Sequence, residues 1–435
     1  MAHRSAHRAG PVRLAVFALT FVCASLSSSG SIDAEPRSDA AYAWQLPRGF
    51  PAPPVPADNP MSAAKVELGR HLFYERRLSG PGTVACASCH EQSRAFTDGR
   101  ARAQGASGAL HPRSAMSLAN VAYNVRFGWA EPELRTLEAQ VRVPLFNESP
   151  VEMGVTGREA EVLERLARTP LYADLFARAF PGEPAPFTID NVSRALASFE
   201  RTLIAGETAY DRLLFRDDAD ALSESARRGM TLFFSERLRC GRCHAGVNLS
   251  GPVARAGDPP PEPTYHNTAL YDLGDGRYPA PNEGLFRASS QARDMGRFRA
   301  PTLRNIAVTA PYMHDGSLAT LDAVIDHYAA GGRARGNRWK SEGLEGFTLA
   351  SGERADLLAF LRSLTDEAFL RDPRFSNPHL AGTGGGAARR HSLLRSLRSL
   401  RAPLAVAGPG GGTARRHAVS LRAPLVGGSG RRDGP

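Results

Sequence analysis

Two short stretches constrain this chain more than any other part of it: "CASCH", Cys86 to His90, and "CGRCH", Cys240 to His244. Each places two thiols three positions apart, with an imidazole directly after the second. C-x-x-C-H is the attachment signature of a c-type haem. The thiols add to the vinyl groups, and the adjacent histidine lies under the iron as proximal ligand. A chain with two such sites folds around two porphyrins, which supply much of its apolar interior. The fifth cysteine, Cys23, lies in the leader, so none is left for a structural disulfide. Redox disulfides or zinc sites are the rival readings; both require His90 and His244 to be coincidences.

The chain opens "MAHRSAHRAGPVRLAVFALTFVCASLSSSGSIDAEP": an Arg-bearing segment, an apolar run from Leu14 to Leu26, then small and polar residues. That order is a secretory signal peptide's, and the run is too short to span a bilayer comfortably. Residues 1–34 are read as a signal peptide, cut between Ala24 and Ala34, with export to a periplasm. A lipoprotein would use Cys23, but Val22 is larger than the small residue expected before it; an uncleaved anchor is the other rival. No later segment is apolar for long enough to cross a membrane, so no stable span is expected after cleavage.

The sequence ahead of each motif is related. "LGRHLFYERRLSGPGTVACASCH" and "RRGMTLFFSERLRCGRCH" align Gly69, Leu72 and Phe73 with Gly229, Leu232 and Phe233. Two copies of one haem-binding helical unit are the simplest reading. Helical periodicity dominates elsewhere, as in "EVLERLARTPLYADLFARAF", "IDNVSRALASFERTLIAG" and "SGERADLLAFLRSLTDEAFL". Pro181 and Pro184 separate the first two, and Leu357, Leu358, Leu361 and Leu364 share one face of the third. Strand patterns are scarce, and 251–263 and 274–300 read as long coil. The expected fold is mainly α: two cytochrome c-like haem domains related by duplication, at 35–215 and 216–375, with long loops.

The net charge of +10 invites a nucleic-acid partner, but ten Arg and one Asp between 381 and 435 account for nearly all of it. Residues 376–435, rich in Gly, Ala, Arg and Pro with a rough repeat of "ARRH…LRAPL", cannot bury enough apolar area to offset ordering entropy. This stretch is expected to be a disordered basic tail, and no nucleic-acid binding is expected.

Four segments then carry a resemblance over residues 60 to 375: "LFYERRLSGPGTVACASCHEQSRAFTDG", "NVAYNVRFGWAEPELRTLEAQVRVPLFNESPVEMG", "MTLFFSERLRCGRCH" and "GRFRAPTLRNIAVTAPYMHDGSLATLDAVIDHY". The chain resembles the bacterial di-haem cytochrome c peroxidase and MauG superfamily. The wording "WAEPELRTLEAQVRVPLF" is similar to the MbnH-type enzymes, which pair with a small copper-binding protein.

That resemblance implies the remaining assignments. The family's distal ligand to the second haem falls fourteen residues after the histidine of "YMHDG"; from His314 the count reaches Tyr328. Periodicity alone makes Tyr328 a core residue, on a buried stripe with Leu321, Val324 and Ile325, and sets His327 about 100° away around the helix. A methionine there suits an electron store, whereas a phenolate donates charge to iron. Haem 2 (His244/Tyr328) is therefore expected to be closed to substrate, and haem 1 on His90 to be the open, peroxide-reactive one. Gln140, Pro144 and Glu152 match the family's distal-side residues, with two extra residues before Glu152; His111 competes as ligand or gate. Trp129 matches the tryptophan between the haems. Thr309 and Pro311 match a calcium-binding turn whose Asn is replaced here by Ser114, a weaker ligand.

The expected function is that of a periplasmic di-haem enzyme. Hydrogen peroxide forms a high-valent, bis-ferryl-like state, which oxidises a residue of an exported partner, a tryptophan, by long-range electron transfer. The alternatives are a di-haem peroxidase fed by a small cytochrome or cupredoxin, and a non-catalytic di-haem electron carrier.

Overall fold

The computed structural model describes residues 42–380. The signal peptide expected over 1–34 and the basic tail from 381 onward lie outside the described residues. Ten helices fall within them: α1 (Ala63–Phe73), α2 (Leu137–Phe146), α3 (Glu159–Ala167), α4 (Pro170–Ala179), α5 (Ile189–Arg201), α6 (Ala209–Phe215), α7 (Glu224–Phe233), α8 (Phe286–Ser289), α9 (Leu321–Ala329) and α10 (Glu353–Arg362). Six begin at a Ser or Thr whose side chain accepts a backbone N–H of the first turn: Ser62, Thr136, Thr188, Thr208, Ser223 and Thr320. Such caps satisfy donors that the helix itself leaves unpaired. The only sheet among the described residues pairs β1 (Tyr265–Asn267) with β2 (Arg297–Arg299), antiparallel, with His266 opposite Phe298.

Two expectations shift. The pattern from 161 to 180 is not one helix but two, α3 and α4, because Pro170 lacks the N–H a helix interior needs and instead opens α4. The coil expected over 274–300 contains α8 and β2. A three-residue strand is too short to show alternation, and its register comes from a partner 30 residues away.

Two helix crossings repeat each other. α1 packs along α5, and α7 along α10. A Cβ on Gly69 would lie 2.0 Å from the carbonyl oxygen of Ala195 and 2.9 Å from Phe199 Cβ. One on Gly229 would lie 1.9 Å from the carbonyl oxygen of Asp356 and 2.9 Å from Phe360 Cβ. Only glycine permits backbones this close. One turn on, Phe73 meets Phe199 at 5.3 Å and 59°, and Phe233 meets Phe360 at 5.3 Å and 58°. The parallel seen before the two motifs thus extends to the helices that α1 and α7 pack against.

Buried apolar side chains gather in two large clusters, one around Leu68, Phe73, Phe96, Phe176 and Phe199, the other around Phe233, Leu249, Ile325, Phe360 and Leu364. The chain crosses between them. Tyr210 joins the second cluster, while Phe369, Leu370 and Phe375 return to the first. The described chain also continues past 375: His379 lies edge-on to His71, its Nε2 3.0 Å from the His71 carbonyl.

Candidate functional site

Each C-x-x-C-H motif forms one 3-10 turn, Cys86–Ser88 and Cys240–Arg242, in which the histidine N–H donates back to the first cysteine carbonyl at 3.1 and 3.0 Å. The His90 Nδ1–H then donates to the Phe96 carbonyl (2.7 Å) and the His244 Nδ1–H to the Leu249 carbonyl (2.9 Å). A carbonyl only accepts, so the proton sits on Nδ1 and Nε2 keeps its lone pair. Phe96 and Leu249 both hold left-handed backbone, at φ 62° and 49°. Bulky residues there cost on the order of 1–3 kcal/mol, and the strain aims each carbonyl at its imidazole. Burial holds both rings neutral, lowering His90 and bringing His244 down to about 4. A neutral imidazole oriented through Nδ1 is the form that ligates metal. The four cysteines are free thiols, and burial pushes each upward. This donor set fits two c-type haems, which Cys86, Cys89 and His90 and Cys240, Cys243 and His244 would hold.

The second motif has a charged brace that the sequence reading missed. Arg304, almost wholly buried, donates to both Asp211 oxygens at 2.7 and 2.8 Å and to the Val247 carbonyl through Nε and Nη2. Thr302 Oγ1 donates to the Asn248 carbonyl at 2.7 Å. The brace ends where Leu249 turns its carbonyl to His244. Asp211 is held in turn by the capping box that Thr208 forms at the start of α6.

Tyr328 lies near the end of α9. Burial pushes its phenol up, and Cys243, Cys240 and Tyr278 are close enough to push it further. The hydroxyl is therefore desolvated beside the second cysteine pair. The buried stripe is corrected in detail: Leu321, Val324 and Tyr328 are half-buried, and His327 is the buried residue. His327 Nδ1 accepts the Arg333 N–H (3.2 Å), so Nε2 carries the proton and donates to the Thr268 carbonyl (2.9 Å). Both ring nitrogens are used by the backbone, which is why that polar ring is buried.

On the first side, Gln140 and Pro144 stand one turn apart on α2, and the chain then folds back, with the Met153 N–H donating to the Pro144 carbonyl (2.9 Å). The buried Gln140 Oε1 has no hydrogen-bond partner in the structure. Glu152 Oε1 accepts from Asn147 Nδ2 at 2.8 Å, and its charge reaches both Cys89 and His90. His111 accepts the Arg113 N–H at Nδ1, so its protonated Nε2 faces Glu152 Oε1 at 3.7 Å. His111 and Glu152 thus share one place near the first motif. From α5, the buried Glu200 acts on the Cys86 thiol. Burial, reinforced by Glu138 and opposed by Arg201, pushes Glu200 up to about 8.

Trp129 ties the segments together. Its Nε1–H donates to the Ser114 carbonyl (3.1 Å), and its own carbonyl accepts the Arg299 N–H of β2 (2.9 Å). Its ring stands edge-on to His314 at 6.4 Å, and His314 stacks on Phe298 at 3.8 Å. In the sequence reading His314 served only as the origin of a count, although the motif that holds it was visible. Ser114 is brought to the loop after Thr309 and Pro311, where its hydroxyl donates to the Met313 carbonyl (3.2 Å). Among the described residues no cluster of three or more His, Cys, Asp or Glu could hold a metal ion.

Two histidines, each oriented through Nδ1 by a backbone carbonyl and each behind a cysteine pair and a glycine-mediated helix crossing, mark a c-type di-haem protein. Residues 63–219 match the family described as di-haem cytochrome c peroxidase. The chain is 36% identical over 317 residues to the methylamine utilization protein MauG of Methylorubrum extorquens, covering 72% of this chain and 82% of that one. It is 34% identical to the cytochrome-c peroxidase IdrP1 of Pseudomonas sp. strain SCT, over 83% of this chain and 94% of that one. A solved MauG-like protein associated with microbial copper homeostasis superposes with a TM-score of 0.76 at 46% identity, covering 78% of this chain and all of that one. The chain belongs to the di-haem cytochrome c peroxidase and MauG family and is a haem-dependent oxidoreductase. The reading as a non-catalytic carrier falls with that membership.

Proposed function

We propose that this chain is an exported enzyme that spends the two oxidising equivalents of hydrogen peroxide on an aromatic residue, a tryptophan, of a small copper-binding partner protein. The observation that carries the reading is Tyr328: a desolvated phenol beside the Cys240–Cys243 pair, where an electron-storing relative would need a thioether. Likeness to a solved protein associated with copper homeostasis supports the partner's chemistry. Residues 35–215 and 216–375 are proposed as duplicated halves, each built on one glycine crossing, and the periplasm as the compartment. Among the described residues no helix is long and apolar enough to cross a membrane.

The two haems, when bound, supply the reduction of peroxide and the storage of oxidising equivalents. The chain does the rest. Glu152, steadied by Asn147, takes a proton from the near oxygen of peroxide and returns it to the far one. The unpaired Gln140 Oε1 accepts a peroxide O–H and orients it. Pro144 adds bulk without a ligand atom, and His111 holds Glu152 from the outer side. Trp129 joins the two halves as the route for electrons. A phenol hydroxyl as desolvated as that of Tyr328 gives up its proton only to a positive charge, so Tyr328 would serve, with His244, as a ligand to the second haem's iron when it is bound. A calcium ion, if held, takes the carbonyls of Thr309 and Pro311 with Ser114 nearby.

The ferric holoprotein tests this directly. Electron paramagnetic resonance should show one high-spin and one low-spin haem. Tyr328→Phe should convert the low-spin signal to high-spin and leave the other unchanged; an intact low-spin signal refutes the assignment. A second reading, a peroxidase drawing electrons from a small cytochrome or cupredoxin, is favoured by the peroxidase relatives. It predicts rapid turnover with such a reduced donor and no oxygen added to a tryptophan of a copper-binding partner. The first reading predicts the reverse.

A further inference from the structure

A line of aromatic rings runs outward from Trp129. His314 stands 6.4 Å from it, Phe298 stacks on His314 at 3.8 Å, Tyr278 follows at 6.5 Å, and Tyr271 at 5.6 Å. Tyr278 also lies close enough to Tyr328 to influence its hydroxyl, so the line passes both candidate redox positions. Its two tyrosines differ in one respect that decides which can hold an oxidising equivalent. An oxidised phenol becomes a strong acid, so a tyrosine keeps a hole only where its proton has a base to go to. Tyr278 donates to the amide oxygen of Asn267 (2.8 Å), a poor base. Tyr271 donates to the Asp315 carboxylate, Oδ2, at 2.5 Å. Burial opposes ionisation of Asp315, but the hydrogen bond from Tyr271, the neighbouring His314 and the Ser317 N–H outweigh it and hold the group below its ordinary value. Tyr271 is half-buried and opens the exposed loop that carries Leu273.

We propose that Tyr271 and Asp315 form the outer terminus of the oxidising line. An electron leaves the Tyr271 ring inward and fills one of the two holes that peroxide creates. The hydroxyl proton passes to Asp315 Oδ2, leaving a neutral tyrosyl radical near the surface. An external electron donor then reduces the radical, and Asp315 returns the proton. This rests on the peroxide chemistry proposed above.

A second tyrosine–carboxylate pair serves as control. Tyr172 donates to Glu75 at 2.9 Å inside the first cluster, apart from this line of rings. Holoprotein mixed with one equivalent of peroxide and freeze-quenched should show a tyrosyl signal that narrows with ring-deuterated tyrosine. Tyr271→Phe should reduce it at least tenfold. Asp315→Asn, which keeps an acceptor but not a base, should do the same without altering the far-ultraviolet circular dichroism. Tyr172→Phe should leave it unchanged. The Soret change on adding peroxide should persist in all three variants. A Soret change with no tyrosyl signal, or with one that survives Tyr271→Phe, overturns this inference alone. No Soret change in the wild type overturns the proposed function and this inference with it.

Discussion

Gly229→Ala is a single added methyl at the crossing that seats the second motif. The new Cβ would lie 1.9 Å from the Asp356 carbonyl oxygen, 2.5 Å from its carbon and 2.9 Å from Phe360 Cβ. A relaxed carbon–oxygen contact is about 3.3 Å or more, so this one is short by about 1.4 Å and α7 and α10 must part to relieve it. The oxygen is backbone and cannot rotate away, and Arg228 and Ser225 pin the Asp356 side chain to α7. Overpacking of this kind costs ~1–3 kcal/mol, and the upper end applies. Alanine recovers about 1 kcal/mol of helix propensity, which leaves a net loss of ~2 kcal/mol. Guanidinium unfolding of the holoprotein, followed at 222 nm and at the Soret band, measures it. Gly69→Ala, 2.0 Å from the Ala195 oxygen, should behave alike, while Gly336→Ala, with nothing within 4 Å, should change stability by less than about 0.5 kcal/mol. If Gly229→Ala unfolds at the wild-type midpoint, the close crossing does not hold α7 in place.

Asp211→Asn should cost about 3–5 kcal/mol, because it strands the charge of a buried Arg304, and should broaden the low-spin signal as the Leu249 loop loosens. Adding Arg304→Met should recover most of the stability. Glu200 keeps its proton in the folded protein up to about pH 8, whereas the unfolded chain loses it near 4.5. Its contribution is therefore fully present below 4.5, declines as pH rises through that window, and is flat above 8. Glu200→Gln should flatten the slope of stability between pH 5 and 8, by on the order of 4 kcal/mol at most; an unchanged slope refutes the buried-acid reading. His327→Phe should leave the ferric spectrum intact yet cost ~1–3 kcal/mol, since it leaves the Thr268 carbonyl and Arg333 N–H unpaired. Loss of the low-spin signal would transfer the ligand role to His327.

Covalent chemistry and local periodicity were legible in the linear chain. Cys86, Cys89, His90, Cys240, Cys243 and His244 announce themselves because attachment needs thiols and imidazole at a fixed spacing, which no folding is required to bring together. The repeat of Gly69 and Phe73 in Gly229 and Phe233 was likewise visible. What the glycines are for was not, since Ala195 and Asp356 stand over 120 residues downstream. The split at Pro170 could have been read from the proline alone.

The sequence by itself marked the two motifs where the family's porphyrins would attach and the helices that precede them, because those are short-range facts of bonding and spacing. Only the tertiary structure decided how each imidazole is aimed, through carbonyls of strained Phe96 and Leu249 and a buried Arg304–Asp211 brace. It alone showed that His327 is spent on the backbone beside Tyr328, and that Tyr271 finds a carboxylate 44 residues away. A hydrogen bond between distant residues leaves no period or spacing in a chain; it exists only once packing has excluded the water that would otherwise compete for it.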